Sequence, residues 1–150
     1  MIEEKLKKLN IKIPVAPKPL ASYIPVTRVG NLVFTAGQIP LENGTLKYKG
    51  KIGKEIDLET GKEAAKLCAI NCLSVIKSEI DDLDKIKKIV KVTVFVNSVD
   101  GFTDQPKVAN GASDLLVELF EEKGKHVRSA VGVNELPIDA SVEVEMIAEI

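Results

Sequence analysis

Alternation of apolar and polar residues predicts strands in five stretches of the chain. Residues 89–97, 127–134 and 142–150 carry mostly hydrophobic side chains at every second position, which is the period of a β-strand. Residues 24–28 and 32–36 flank a Gly-Asn pair, and such a pair between two apolar runs predicts a hairpin turn. A second turn is predicted at residues 42–44, followed by a polar loop that extends to Gly53.

Two longer stretches have the spacing of amphipathic helices. Residues 57–80 begin with Asp57 and Thr60, either of which can cap a helix, and Thr60-x-x-Glu63 has the form of a capping box. Residues 104–122 end just before a glycine, which commonly follows a helix. The buried faces are predicted from residues that recur three or four positions apart: Ala65, Cys68, Cys72, Val75 and Ile76 in the first helix, and Val108, Ala112, Leu115 and Leu119 in the second.

The first twenty residues differ in pattern from the rest of the chain. Residues 3–9 predict a short amphipathic helix, and residues 13–19 contain three prolines, which predict an extended connector. We therefore expect an N-terminal extension over residues 1–20 and a single domain over residues 21–150. The order of elements in that domain, β-β-α-β-α-β-β, predicts an α+β fold in which two helices pack on one face of a sheet.

The net charge of the chain and the length of its apolar runs argue against nucleic-acid and membrane partners. The 150 residues include 21 Lys and Arg against 22 Asp and Glu, for a net charge of −1, which argues against a strongly basic nucleic-acid surface. No apolar run approaches the roughly 20 residues that span a bilayer, so no membrane partner is expected. The charged N-terminus lacks the apolar region of a secretory signal, and we expect a cytoplasmic protein.

The chain is poor in cysteine and histidine. It has two cysteines, Cys68 and Cys72, and one histidine, His126. A spacing of four residues puts both thiols on one helix face, where we interpret them as small buried hydrophobic residues rather than a redox pair. These residues cannot supply a structural zinc site, and we expect neither a metal nor an organic cofactor. No nucleophile stands at a recognisable spacing from His126, which we interpret as a surface or interface histidine.

Alternation also divides the predicted sheet between two faces. If the valine side of each strand packs on the helices, the other face carries Thr93, Phe95, Arg128, Ala130, Gly132 and Glu143. Such a face is neither wholly polar nor wholly apolar, so we expect it to pack against another subunit. A half-buried arginine and glutamate on that face need charged partners, or else they serve a ligand.

Several of these residues stand in the pattern of a known family. The chain resembles the reactive-intermediate deaminase (Rid) family, also called the YjgF-like or L-PSP endoribonuclease family. Gly-Gln-Ile-Pro at 37–40 occurs together with Arg-Ser at 128–129 and Leu-Pro at 136–137, and this joint occurrence is specific. The other matching segments are Tyr23 and residues 30–36, 90–96, 130–131 and 142–145. The N-terminal extension and residues 101–113 are similar to a longer subgroup of the family.

The resemblance implies a fold, an assembly and a reaction. The implied fold is chorismate-mutase-like α+β, and the implied assembly is a homotrimer with a central barrel of sheets and ligand pockets between subunits. The implied reaction is hydrolysis of an enamine or imine derived from an amino acid, which gives a 2-keto acid and ammonia. An imine carbon is electrophilic, so a positioned water can attack it, while an arginine can bind the substrate carboxylate through two oxygens.

The resemblance also implies roles for individual residues. Arg128 matches the arginine that binds the substrate carboxylate, and Glu143 matches the glutamate that activates water. Tyr23 matches a tyrosine that lines the pocket from an adjacent subunit. Each residue has a structural alternative: an interface ion pair for Arg128, a partner of Arg128 or an exposed strand position for Glu143, and a hydrophobic plug for Tyr23.

Other positions of the implied pocket match less closely. The backbones of Gly37 and Ala130 are expected to supply hydrogen bonds, although the family commonly has a serine where Ala36 stands and a cysteine where Ala130 stands. An asparagine of the family's second helix corresponds to Asn110 or Ser113, depending on where the insertion is placed.

Three functions are compatible with these observations. The first is an imine deaminase without a cofactor, and the second is a non-catalytic trimer that binds small carboxylates through the same arginine. The third is the endoribonuclease or translation-inhibitor activity attached to parts of the family. The net charge of −1 and an aromatic content of 4% argue against nucleic acid as a partner.

Overall fold

The computed structural model describes residues 1–18 and 22–150, so the predicted boundary between positions 20 and 21 lies outside the described residues. Three α-helices and seven strands occur in the described ranges. The helices are α1 (Ile2–Lys8), α2 (Leu58–Ile80) and α3 (Gln105–Phe120), and the strands are β1 (Val26–Val29), β2 (Leu32–Thr35), β3 (Leu41–Glu42), β4 (Thr45–Leu46), β5 (Lys88–Asn97), β6 (Val127–Val133) and β7 (Val142–Glu149).

Five of the strands form one mixed sheet in the order β1-β2-β7-β5-β6. Neighbouring strands run antiparallel except β5 and β6, which run parallel because α3 connects them. The predicted α+β fold and its order of elements are confirmed. The stretch from residue 41 to 46, predicted as a turn within a loop, forms an additional hairpin of β3 and β4 around Asn43 and Gly44, both at positive φ.

Both long helices pack on the same face of the sheet and against each other. The stripes predicted for α2 and α3 are confirmed, because each of their residues is buried. The inward positions of the strands complete the core, with Val92, Val94 and Val144 fully buried. Both cysteines are free thiols inside this core, which confirms their interpretation as small hydrophobic residues.

The N-terminus of α2 is capped by Asp57 rather than by Thr60. The Asp57 carboxylate accepts the Thr60 backbone N–H at 2.8 Å, which lowers the pKa of Asp57 because the bond favours the charged form.

The N-terminal helix α1 belongs to the same core, because Ile2 and Leu6 are buried in it. The division into an extension over 1–20 and a domain over 21–150 stays a prediction.

The predicted faces of β6 are wrong. Val94 pairs with Ala130 and Val92 with Arg128, so Arg128, Ala130 and Gly132 lie on the helix face of the sheet. Val127 and Val131 point to the opposite face, where they are 66% and 44% exposed. The register with β5 sets these faces, because paired residues of neighbouring strands point to the same side. Gly132 lies beside Gln105 of α3, and a Cβ on it would come within 2.8 Å of Gln105 Nε2.

The outer face of the sheet is therefore composed differently from the prediction. On β5, Phe95 pairs with Glu143 of β7 on one side and with Val131 of β6 on the other. Thr93 likewise pairs with Glu145 and Ser129. Phe34 and Ile147 pair on the same face, as expected from the alternation. The outer face still carries both polar and apolar side chains, but Val127 and Val131 lie on it instead of Arg128.

Candidate functional site

Arg128 lies on the edge strand β6 and reaches across to the N-terminal half of α3. The two N–H groups of its Nη1 donate to Asn110 Oδ1 at 2.9 Å and to Ser113 Oγ at 3.0 Å. Nη2 donates to the Pro106 carbonyl at 3.3 Å. An arginine has five N–H donors, and in the described part of the chain the Nε–H and the second N–H of Nη2 have no acceptor. The structure thus holds the guanidinium in place and leaves two donors for a ligand.

Both residues proposed for the helix asparagine contribute to this arrangement. Asn110 and Ser113 are three positions apart on α3, so they lie on the same side of the helix. Each of them accepts a hydrogen bond from Arg128, and which of the two corresponds to the family's asparagine stays a prediction.

His126 extends the same network, a contact that sequence reasoning missed. Its Nε2 lies 2.9 Å from Ser113 Oγ, and its Nδ1 lies 2.6 Å from the Gly124 carbonyl oxygen. The sequence indicates only that His126, two residues before Arg128, shares a face with it, and the contact with Ser113 comes from the fold. His126 is half-buried rather than a free surface residue.

Glu143 lies on the other face of the sheet, beside Gly37. A Cβ built on Gly37 would come within 2.2 Å of Glu143 Oε1, so the Glu143 side chain occupies the space that the glycine leaves open. Glu143 is half-buried, and no hydrogen-bond donor or cation contacts its carboxylate among the residues described. Burial raises the pKa of Glu143, and the nearby charge of Glu145 raises it further.

Tyr23 lies near the Gly37 end of the β1–β2 hairpin. It stands two residues before Pro25, whose carbonyl accepts the Ala36 N–H at 2.7 Å. Its side chain is 66% exposed, so it does not plug the core of this chain. Ala130 is half-buried on the helix face of β6, two residues after Arg128.

The sheet separates the implied site residues into two groups. The arginine half-site consists of Arg128, Asn110, Ser113, His126 and Ala130 on the helix face, and the glutamate half-site consists of Glu143 and Gly37. Tyr23 precedes the hairpin strand β1 and has no described contact with either group. Arg128 and Glu143 lie two strands apart and three residues out of register, or about 10 Å in each direction, and on opposite faces. One chain therefore cannot bring both side chains to one small substrate.

Other features of the described chain lie away from these half-sites. A cleft of about 750 Å³ between residues 10–17 and α2 contains neither Arg128 nor Glu143. Within residues 1–18 and 22–150 no group of three or more metal-binding side chains occurs, and the expected absence of a metal stays a prediction. No helix of the described ranges is long and apolar enough to cross a membrane.

A mixed five-stranded sheet backed by two helices, with an arginine held on its edge strand, defines an α+β protein of chorismate-mutase-like fold. A family model described as "YjgF/chorismate mutase-like, putative endoribonuclease" matches residues 3–150. The chain therefore belongs to the YjgF family, as the sequence motifs predicted.

Curated relatives carry different names. The chain is 40% identical over 146 residues to Protein TCP17 of Trypanosoma cruzi, which covers 97% of this chain and 91% of that protein. It is 31% identical over 142 residues to a 2-iminobutanoate/2-iminopropanoate deaminase of Dermatophagoides farinae, which covers 93% and 94% of the two chains.

Solved structures agree with this assignment. Protein Atu1372 of Agrobacterium tumefaciens, of unknown function, is 43% identical and superimposes with a TM-score of 0.94 over 99% of this chain and 92% of its own. TdcF of E. coli, solved with bound serine, is 26% identical and superimposes with a TM-score of 0.63 over 90% of this chain and 93% of its own. The higher TM-score of Atu1372 is consistent with the predicted longer subgroup.

Proposed function

We propose that the protein hydrolyses amino-acid-derived imines or enamines to 2-keto acids and ammonia. The observation that carries the proposal is the Arg128 guanidinium, fixed by three hydrogen bonds with two N–H donors left over. A planar cation held in this way is suited to a carboxylate, which can accept both remaining N–H groups. The deaminase name of the Dermatophagoides farinae relative supports the same reaction.

The reaction needs one proton acceptor besides the carboxylate clamp. The Glu143 carboxylate takes a proton from water while the water oxygen bonds to the imine carbon, and the C=N electron pair moves to nitrogen. Protonated Glu143 then returns its proton to that nitrogen, which gives an amino alcohol and restores the carboxylate. The hydroxyl proton of the amino alcohol passes to nitrogen as the C–N bond breaks, so ammonia leaves and the keto group remains. Half-burial and the Glu145 charge raise the pKa of Glu143, which brings it closer to the working range of a general base.

The two half-sites require an assembly of subunits. We infer a homotrimer in which the arginine half-site of one subunit faces the glutamate half-site of the next. Val127 and Val131 support this arrangement, because they leave exposed apolar surface on the outer face of β6. Burying such surface between copies is the usual basis of symmetric oligomers.

A coupled assay tests the proposed reaction. An amino-acid oxidase generates a 2-imino acid in the presence of the protein, and ammonia release is followed against a buffer control. Arg128→Lys keeps the charge but loses the planar fork, so we expect a loss of roughly one to two decades in substrate binding, the value of a charge-assisted hydrogen bond. The chain has one other arginine, the exposed Arg28, and Arg28→Lys is the matched control.

The assay also separates the alternatives. Ammonia release no faster than in buffer, combined with pyruvate binding that depends on Arg128, would favour the non-catalytic carboxylate-binding trimer. An Arg128→Lys variant that binds carboxylates as well as the parent, while its trimer mass or melting temperature falls, would assign Arg128 to the interface instead.

A further inference from the structure

We propose that His126 is a positioning residue for Arg128 and acts through the hydroxyl of Ser113. The inference rests on the proposed function, because it assigns the group that orients the carboxylate clamp before a ligand binds. It concerns a side chain that does not itself touch the substrate.

The hydrogen bonds that join Gly124, His126, Ser113 and Arg128 fit a single assignment of donors and acceptors. The Gly124 carbonyl can only accept, so the Nδ1 of His126, 2.6 Å away, carries the proton. In a neutral imidazole the Nε2 then accepts, and the hydroxyl proton of Ser113 points to it across 2.9 Å. The lone pairs of Ser113 Oγ are left to accept the Arg128 Nη1–H at 3.0 Å.

The charge state of His126 agrees with this direction. Burial is the main cause that lowers the pKa of His126 below 6.5, and the positive charge of Arg128 lowers it further, while the hydrogen bond to Gly124 opposes both. A lowered pKa keeps the imidazole neutral at pH 7. Nε2 is therefore an acceptor under the conditions in which Arg128 binds a carboxylate.

Ser113 depends on this acceptor for its orientation. A serine inside a helix commonly turns its hydroxyl back to the carbonyl one turn earlier. His126 supplies an acceptor on the side of Arg128, which holds the Ser113 oxygen next to the guanidinium. Because an arginine side chain loses rotamer entropy when it is ordered, ordering it in advance reduces the cost of binding a ligand.

Packing of the turn before β6 fixes the position of His126. Gly124 is buried, and a Cβ at this position would come within 2.2 Å of the Leu116 carbonyl oxygen of α3. The turn that orients His126 thus lies directly on the helix that carries Ser113. The distance between the two side chains is set by this contact and not by a flexible loop.

The first test is spectroscopic and needs no ligand. His126 is the only histidine in the chain, so a ¹⁵N spectrum of the full protein reports its tautomer directly. We expect a protonated Nδ1 and an unprotonated Nε2 at pH 7.

A second spectroscopic readout concerns Arg128. In an Arg28→Lys background Arg128 is the only arginine, and the rate of rotation about its Nε–Cζ bond measures how firmly the guanidinium is held.

The second test measures binding of pyruvate, an unreactive 2-keto acid. His126→Phe and Ser113→Ala should each weaken binding roughly threefold to tenfold, the value of one neutral hydrogen bond, and each should accelerate rotation of the guanidinium. The double variant should lose no more than either single variant, because the two residues act in series. His126→Gln keeps an acceptor towards Ser113 and should restore both readouts. Ser78→Ala is the matched control, since Ser78 donates to Val75 O within α2 at 2.7 Å.

The outcomes separate this inference from the proposed function. If pyruvate binding depends on Arg128 but His126→Phe leaves binding and rotation unchanged, the positioning role is wrong and the clamp stands. Additive losses in the double variant would also overturn the series arrangement. If the parent neither binds pyruvate nor accelerates ammonia release, the proposed function fails, and the rotation rates in the parent, His126→Phe and Ser113→Ala decide the inference alone.

Discussion

At the scale of single residues, the two half-sites differ in how their charges are satisfied. Arg128 has acceptors on both Nη atoms, whereas the carboxylate of Glu143 faces a glycine and a second glutamate along its strand. A cation with three acceptors costs the fold less than one with none, whereas a half-buried carboxylate without a donor opposes folding. The glutamate half-site is therefore where stability and function should compete.

Glu143→Gln should stabilise the protein at neutral pH while it removes the general base. The folded pKa of Glu143 is raised above its ordinary value of 4.5, so its charged form disfavours the folded state above the folded pKa. This cost disappears as the pH falls through the folded pKa to below 4.5. We expect a higher melting temperature for the variant at pH 7, no difference from the parent below pH 4.5, and loss of ammonia release.

Glu145→Gln provides the comparison for this prediction. Burial remains the larger cause of the Glu143 shift, but removal of the Glu145 charge should lower the Glu143 pKa and move the acid limb of the activity profile to lower pH. A melting temperature of Glu143→Gln below that of the parent at pH 7 would contradict the assigned sign.

At the scale of elements, the contact between α2 and α3 determines where the arginine half-site lies. Gly111 stands between Asn110 and Ser113 on α3, and a Cβ on it would come within 1.9 Å of the Lys62 carbonyl oxygen of α2. Backbone atoms cannot move aside as a side chain can. The close approach of the two helices therefore depends on this glycine, and so does the position of the two acceptors for Arg128.

Gly111→Ala should separate the helices and destabilise the protein by about 1–3 kcal/mol or more, the range of overpacked cores. It should also weaken pyruvate binding, because Asn110 and Ser113 move with α3. The matched control is Gly61→Ala on α2, whose Cβ would meet only side-chain atoms of Ile52 and Val108 at 3.0–3.5 Å. Urea denaturation of both variants checks the prediction, and equal stability of the two would refute it.

At the scale of the whole molecule, the exposed valines of β6 decide between a monomer and an assembly. Val131 continues the row formed by Glu143 and Phe95 across the outer face of the sheet. In one chain Val131 is 44% exposed, and on an edge strand it is placed to contact a second copy. The proposed trimer requires this surface to be covered.

Val131→Lys should dissociate the trimer, because a lysine ammonium is costly to bury without a partner. Light scattering should give three times the chain mass of 16.3 kDa for the parent and the mass of one chain for the variant, with loss of ammonia release. The control is Val117→Lys on α3, where the valine is 37% exposed on the helical side. A parent that is monomeric at micromolar concentration would exclude the two-subunit site.

The sequence by itself determined the elements and their order, because hydrophobic periodicity is a local property. The stripes of α2 and α3, the alternation of β5 and β7 and the first hairpin were all predicted, and the joint motifs indicated the family. The hairpin of β3 and β4 was not predicted, since two-residue strands have too few positions to show a period.

Only the tertiary structure decided how the site is divided. The valines of β6 were predicted to face the helices, but the face of an edge strand is set by its register with β5, because paired residues of neighbouring strands point to the same side. That register puts Arg128 on one face and Glu143 on the other. The same packing brings His126 to Ser113, a contact between residues 13 positions apart that no local pattern specifies, because it depends on how a turn lies against a helix.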